Sequence, residues 1–395
     1  MKILIADKLS TKAVEALEAL GTKVTMNPDL GKDDLPGAIG DTNVLIVRST
    51  EVVADTIENG KSLELIIRAG AGVNTIDLEK ASAMGVYVAN CPGKNNDAVA
   101  ELALGLMIAA DRRIVDATGQ LRDGKWNKKE FSKASGLKGR TLGIIGMGAI
   151  GTALARRAQA MEMEVTCWSR SLTPAKAEAM GLGYCEKIDE LAAAADIVSV
   201  HLAATAETKK LFGDKFFTRM KNGAIFLNTS RGDLVDTAAL RKAIVEKNLK
   251  VGLDVFENEP GAGVADFDQA ELAGLVTATP HIGASTDQSS EAIADEVVRI
   301  VESLIKTGKP LNNVNARAKR SDGTMLVVRH FNRVGVLASV LDLLREAGIN
   351  VEEMENIIFR GGAAAVACLK LDKGPNEELL NQISAHDNII KAMLH

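Results

Sequence analysis

Three polar residues in the second half of the chain, each just past an apolar run, have the chemistry to handle a 2-hydroxy acid: Arg231, Glu259 and His281. Arg231 stands in Asn228-Thr229-Ser230-Arg231-Gly232-Asp233, and Glu259 in Leu253-Asp254-Val255-Phe256-Glu257-Asn258-Glu259-Pro260. His281 stands in Thr279-Pro280-His281-Ile282-Gly283-Ala284-Ser285. A guanidinium grips a carboxylate and a neighbouring oxygen in a planar, bidentate way. An imidazole takes the hydroxyl proton near neutral pH while the C2 hydride leaves. A carboxylate beside it fixes its tautomer and favours its charged form. Alone, His281 reads equally as a structural loop histidine and Glu259 as a solvated acid. Together they read as a site.

A hydride needs an acceptor, and the stretch 141–151 offers a place for one. Gly146, Gly148 and Gly151 form G-x-G-x-x-G between an apolar strand pattern (Leu142, Ile144, Ile145) and an Ala- and Arg-rich helical pattern. Gly146 makes the tight turn, Gly148 lets the backbone approach a pyrophosphate, and Gly151 lets the helix pack against the sheet. The helix start presents free N–H groups and a positive dipole end to the phosphates. The motif alone is weak evidence; between a strand and a helix it predicts a dinucleotide site. An acid is expected about 20 residues further on, to hold the adenosine ribose. The chain has Cys167-Trp168-Ser169-Arg170-Ser171 there instead. Ser169 and Arg170 tolerate or grip a 2′-phosphate, so use of NADP beside NAD is expected.

The elements that must position these residues follow from periodicity. Residues 1–95 alternate short apolar strands with helical patterns, which argues a parallel, doubly wound sheet. Its strand ends carry Arg48-Ser49-Thr50 and Arg68-Ala69-Gly70-Ala71-Gly72-Val73-Asn74, which makes both turns candidate substrate loops. A long helical pattern over 98–113 leads into a second doubly wound region, 96–285, with strands at 165–168, 197–200, 224–227, 251–253 and 276–278. One long helix is expected over 285–307 and a polar linker over 313–322. Residues 323–395 read βαββα with a possible last strand, a small ferredoxin-like domain. The expected fold class is α/β: two doubly wound parallel-sheet (Rossmann/flavodoxin-like) domains plus this C-terminal module.

Composition narrows the function classes. The 395 residues are 46% hydrophobic and carry a net charge of -5, with no basic face for nucleic acid or anionic lipid. No apolar run approaches the roughly 18–20 residues of a membrane helix, and the start lacks signal-peptide organisation. Cys91, Cys167, Cys185 and Cys368 are scattered without metal-ligand spacing. Reduced thiols, no metal site and a cytoplasmic location are the expectation.

The order of these motifs resembles the D-isomer-specific 2-hydroxyacid dehydrogenases, and within them the phosphoglycerate dehydrogenases. The likeness covers nearly the whole chain, including Arg48-Ser49-Thr50, the 68–73 loop, Pro92-Gly93-Lys94-Asn95, Gly124-Lys125-Trp126 and the three stretches around Arg231, Glu259 and His281. The resemblance implies that Arg231 binds and polarises substrate and that His281 is the acid/base supported by Glu259. It implies cofactor contacts from Ala149, Ile150, Thr229, Ser230, Asp254 and Gly283. It implies substrate contacts from Arg48, Ser49, Arg68, Ala71, Gly72 and Asn95, with Arg112 reaching a neighbouring subunit's site. In such enzymes residues 1–95 are completed by the helix after His281 (286–312), and the assembly is a homodimer or homotetramer. The tail, His330-Phe331-Asn332-Arg333-Val334-Gly335 and Gly348-Ile349-Asn350-Val351, resembles ACT regulatory domains, which implies L-serine held by His330, Asn332 and Asn350. The implied reaction is NAD-dependent oxidation of a phosphorylated 2-hydroxy acid, 3-phosphoglycerate. The alternatives are a glyoxylate or hydroxypyruvate reductase of the same fold and, more remotely, an NAD-sensing interaction protein.

Overall fold

Five short strands, three of them rich in branched aliphatic residues, pair in parallel near the start of the chain. They are β1 (Lys2–Ile5), β2 (Lys23–Met26), β3 (Val44–Val47), β4 (Leu65–Arg68) and β5 (Tyr87–Asn90), in the order β2-β1-β3-β4-β5. That is the flavodoxin-like order. All four residues of β3 are buried, as expected where helices cover both faces of a parallel sheet. One face packs Ile3, Ile5, Val44, Ile46, Leu65 and Ile67 against Ile293, Val297, Ile300 and Leu304. Those last four lie on the helix Asp287–Thr307, capped at its start by the Thr286 hydroxyl accepting from Ser289 N–H. The chain thus returns to its first sheet after leaving the second.

The second sheet contains β6 (Thr141–Ile145), β7 (Glu164–Trp168), β8 (Gly183–Tyr184), β9 (Ile197–Val200), β10 (Ile225–Asn228), β11 (Lys250–Leu253) and β12 (Thr277–Ala278). Its order is β12-β11-β10-β9-β6-β7-β8, with all neighbours parallel. The direction of winding reverses between β6 and β9, and ligands of open α/β sheets bind off the strand ends at that switch point. One face is packed by Phe212, Phe216, Phe217 and Phe226, with Phe217 edge-on to Phe226 at 5.1 Å. The other buries Leu142, Ile144 and Ile197 against Leu106, Met107 and Leu154.

The computed structural model describes residues 1–260, 264–317 and 323–395. Its contacts divide into two units, Met1–Ala316 and Arg317–His395. Residues at the start of the expected linker belong to the first unit: Val314 N–H donates to Val88 C=O (2.8 Å), and Asn315 Oδ1 accepts from Val88 N–H (2.8 Å). Residues 318–322 lie outside the described residues. The second unit is an antiparallel sheet of β13 (Thr324–Phe331), β14 (Val351–Ile358), β15 (Ala364–Leu371) and β16 (Ile389–Leu394), ordered β14-β15-β13-β16. Helices Val336–Glu346 and Glu377–Ser384 pack Val336, Val340, Leu344, Leu379 and Ile383 onto Leu326, Val328, Ala367 and Leu369. The expected last strand is present, completing a βαββαβ ferredoxin-like unit.

Candidate active site

His281 and Glu259 meet at the carboxyl ends of β11 and β12. His281 Nδ1 lies 2.5 Å from Glu259 Oε1, and Glu259 Oε2 accepts from Phe256 N–H at 3.2 Å. Burial opposes ionisation of Glu259. The hydrogen bond and charge of His281, the Phe256 N–H and the Arg231 charge outweigh it, so the carboxyl is held below its ordinary value. His281 has φ 53°, a backbone region that a residue with a β-carbon adopts at a cost and that recurs at functional sites. The loop holds that shape through Asp254. Its Oδ1 accepts from Thr279 Oγ1 (2.6 Å) and Ile282 N–H (2.8 Å), its Oδ2 from Gly283 N–H (2.8 Å), and its carbonyl from His281 N–H (2.8 Å). Asp254 and Gly283, expected at the cofactor, are therefore tied to each other, and the visible task of Asp254 is to shape the His281 loop. With Nδ1 committed to Glu259, Nε2 is the ring nitrogen left to work on a substrate.

Arg231 comes from the turn after β10. Asn228 pins that turn, its amide donating to Arg231 C=O (2.9 Å) and its Oδ1 accepting from Ser230 N–H (3.0 Å). Arg231 Nη2 reaches the first sheet's loop: a β-carbon added to Gly72 would stand 3.0 Å from it. The Arg68 guanidinium folds over Gly70 in the same loop. Arg68 is mostly buried, and burial first, then the charges of Arg231 and Arg48, depress its proton affinity. Arg48 follows β3, where Asp7 Oδ2 accepts from the N–H groups of Arg48 (2.6 Å), Ser49 (3.1 Å) and Thr50 (3.2 Å). Asn90 secures the glycine loop by donating to Ala71 C=O at 2.6 Å. The Arg68 and Arg231 guanidinium groups therefore bear on one loop, the Arg48 charge lies near enough to be felt by Arg68, and none of the three makes an ion pair among the described residues.

The glycine-rich turn fits a dinucleotide. Gly146 has φ 103°, and a β-carbon there would overlap the His201 carbonyl; one on Gly151 would overlap the Gly146 carbonyl. One on Gly148 would meet nothing within 4 Å, which leaves the backbone open on the side a pyrophosphate approaches. The helix Ala149–Ala160 has no side-chain cap, so its first N–H groups, from Ala149, Ile150 and Gly151, are unsatisfied donors. Two buried polar atoms without partners among the described residues stand just past strands of this sheet, His201 Nδ1 after β9 and Thr229 Oγ1 after β10. Such groups are costly unless a ligand completes them. Ser230 Oγ is taken, donating to Val200 C=O at 2.6 Å. Beyond β7 a cavity of about 360 Å³ is lined by Met147, Ser169, Ser171, Leu172 and Lys176, where an adenosine would sit.

Arg112, expected to reach a neighbouring subunit's site, is the last residue of the helix Asn96–Arg112, about 25 Å from its start and away from this chain's own cleft. It lines a second cavity with Asp116, Glu130 and Lys250. Arg170 is exposed and felt by Glu207, whereas Lys176, not anticipated, lines the ribose-side cavity. His201 was also missed; burial pushes its imidazole down to about 4, and Ser199 Oγ lies 2.9 Å from its Nε2. In the C-terminal unit His330 is buried, its Nδ1 2.8 Å from Phe331 C=O and its Nε2 3.2 Å from Asn356 Oδ1. Both ring nitrogens are committed, which removes it from an effector site. Asn332 and Asn350 lie at opposite ends of the sheet, since Phe331 pairs with Ala364 and Val351 with Leu371. Among the described residues no cluster of His, Cys, Asp and Glu suits a metal ion, and no helix is long and apolar enough to cross a membrane.

Comparison with known proteins agrees with this geometry. Residues 104–283 match the profile of the D-isomer specific 2-hydroxyacid dehydrogenase NAD binding domain. The chain is 40% identical over 302 residues to a hydroxypyruvate reductase of Thermotoga maritima, covering 75% of this chain and 96% of that protein. It is 38% identical over 317 residues to a D-3-phosphoglycerate dehydrogenase of Methanocaldococcus jannaschii, covering 80% of this chain and 59% of that one. The chain thus spans less than two thirds of the length of that longer relative. Among solved structures, the TT0316 protein of Thermus thermophilus superposes with a TM-score of 0.71 at 33% identity, over 80% of this chain and all of that one. With an NAD-binding domain of that kind and a near full-length relative at this identity, the chain belongs to the D-isomer specific 2-hydroxyacid dehydrogenase family.

Proposed function

We propose that the protein oxidises 3-phosphoglycerate to 3-phosphohydroxypyruvate with NAD, the entry to serine synthesis. The observation that carries this reading is the set of three guanidinium groups, Arg48, Arg68 and Arg231, with no ion pair among the described residues. A plain 2-hydroxy acid needs one such group; two more suit a phosphate. Arg231 holds the carboxylate and the C2 oxygen. His281 Nε2 takes the hydroxyl proton, and Glu259 balances the imidazolium that results. NAD, when bound, accepts the hydride from C2. The turn 146–151 would hold its pyrophosphate. A reductase of plain 2-oxo acids is the second reading, favoured by the near full-length match to a hydroxypyruvate reductase. Initial rates for phosphorylated and plain three-carbon acids, in both directions, decide between the two.

The missing ribose acid leads to a cofactor prediction. Ser169, Ser171 and Lys176 line the cavity beyond β7 and offer hydroxyls and a cation where many dinucleotide folds place a carboxylate. NADP is turned over beside NAD, and Ser169→Asp narrows use to NAD by repelling the 2′-phosphate. The ratio of kcat/KM for the two cofactors, in wild type and variant, checks this; an unchanged ratio counts against it.

Regulation by L-serine is part of the same proposal. Because Asn332 and Asn350 lie at opposite ends of the sheet, one site can use both only if two copies contribute. An effector there inhibits only by preferring one of two conformations of the catalytic cleft. Millimolar L-serine lowers the rate, and Asn332→Ala abolishes the response without changing uninhibited turnover. If serine neither binds by calorimetry nor changes the rate, the C-terminal unit is a scaffold.

A further inference from the structure

Residues 254–260 carry Glu259 yet contain no helix or strand, so something else must fix the carboxylate against His281. Part of the support is backbone. Asp254 N–H donates to Asn228 C=O at 3.0 Å, the Gln269 amide donates to Glu257 C=O, and Asn258 adopts φ 54°. Past Asp254, two side chains fasten the turn outward. Phe256 packs edge-on to Phe267 at 4.9 Å. Glu257 does more: its Oε2 accepts from Thr237 Oγ1 at 2.9 Å, and its Oε1 pairs with Lys210 Nζ at 2.8 Å.

Both partners of Glu257 belong to the Arg231 side of the cleft. Lys210 N–H donates to Asp233 C=O at 2.8 Å, and Phe212 N–H to Leu234 C=O at 3.0 Å. Thr237 opens the helix Thr237–Lys247, capped by Asp236. The backbones also touch, since a β-carbon on Gly232 would overlap the Phe256–Glu257 peptide. We propose that Glu257 is a positioning residue for proton transfer: clamped by Lys210 and Thr237, it holds the turn that sets Glu259 against His281 and registers that pair with Arg231. The inference deepens, and rests on, the reading of His281 and Glu259 as the proton-transfer pair.

The bland alternative is a surface ion pair that contributes a little stability and nothing else. Glu257 is only 20% exposed at its side chain. The Lys210 hydrogen bond, opposed by burial and aided by Thr237, keeps its carboxyl below the ordinary value. The charges facing Lys210 are Glu257, then Asp236 and Asp233; those facing Glu259 are His281 and Arg231. The link from residue 257 to residue 259 is the turn they share, which the Lys210 and Thr237 contacts hold.

The test uses the full chain with Glu257→Gln, Lys210→Met and the swapped pair Glu257→Lys with Lys210→Glu, with Glu259→Gln as the reference. Ring-labelled histidine NMR follows the titration of His281, and steady-state kinetics follow kcat against pH. Both single variants move the His281 midpoint to lower pH, in the direction of Glu259→Gln, and lower kcat by on the order of 10- to 100-fold with KM for NAD unchanged. The swapped pair returns the midpoint toward wild type. A midpoint that stays at the wild-type value in both single variants, with only Tm lowered, overturns the proposal. The titration reads the pair whether or not any acid is turned over, so failure of the proposed activity is distinguishable from failure of the positioning role. Should Glu257→Gln not fold, Lys210→Met carries the same readout.

Discussion

Replacing His281 with alanine lowers kcat for oxidation by on the order of 10²–10⁴-fold, with NAD affinity unchanged. The size follows from its place: Nδ1 is held by Glu259 at 2.5 Å, the backbone is kept at φ 53° by the Asp254 contacts, and Nε2 is the ring nitrogen left to take the proton in the proposed oxidation. Glu259→Gln keeps the shape but removes the counter-charge, so the acidic limb of the oxidation pH–rate profile moves to lower pH. Arg231→Lys does not rescue activity, because an ammonium cannot reproduce the planar fork. Steady-state kinetics across pH check all three. Wild-type turnover by His281→Ala without added imidazole would contradict the assignment.

Two glycine-to-alanine changes separate by mechanism. In Gly232→Ala the new methyl overlaps the Phe256–Glu257 peptide, so the turns bearing Arg231 and Glu259 must move apart. Misplacement on that scale costs on the order of 100-fold in kcat/KM, and stability falls with it, because one backbone cannot yield without the other. Gly148→Ala has open space around its methyl and folds with Tm unchanged. It nonetheless weakens NAD binding, since the methyl stands where the pyrophosphate approaches. Calorimetric Kd for NAD and kcat/KM for the two variants check the contrast; equal losses of both quantities in both variants would refute it.

What was legible in the sequence tracks what burial imposes on it. β3, β9 and β10 are buried at every residue: β3 appears as an unbroken apolar run, β9 as one interrupted only by Ser199, and β10 as one closed by Asn228. β2 is an edge strand with exposed Lys23, Thr25 and Met26, and β8 has only two residues; neither leaves a periodic signature, and both escaped the reading. The helix Ile114–Arg122 escaped it too, as it buries no residue and follows Arg113 in the left-handed region at φ 51°. The residues proposed for the dehydrogenase chemistry were legible because their types are chemically specific and stand at strand ends. The partners that hold them were not. Lys210 with Glu257, Asp254 with the 279–283 loop and Gly72 with Arg231 are tertiary meetings that no local pattern encodes. His330 misled for the opposite reason: its type suits a ligand, but the fold turns it inward to Asn356.

The central claim, that a cluster of guanidinium groups selects a phosphorylated acid, is tested most directly by one ratio. It is kcat/KM for D-3-phosphoglycerate over kcat/KM for D-glycerate, in wild type and in Arg48→Ala. The hydrogen bond of Arg48 to Asp7 is made by its backbone N–H, and its side chain makes none among the described residues, so that side chain can be removed without dismantling the loop. Loss of a charge partner to a desolvated anion costs about 2–5 kcal/mol, which is roughly 30- to 5,000-fold in rate. The account predicts a wild-type ratio well above one that falls by such a factor in the variant, with glycerate turnover unchanged. A wild-type ratio at or below one, or equal losses for both acids, would contradict it.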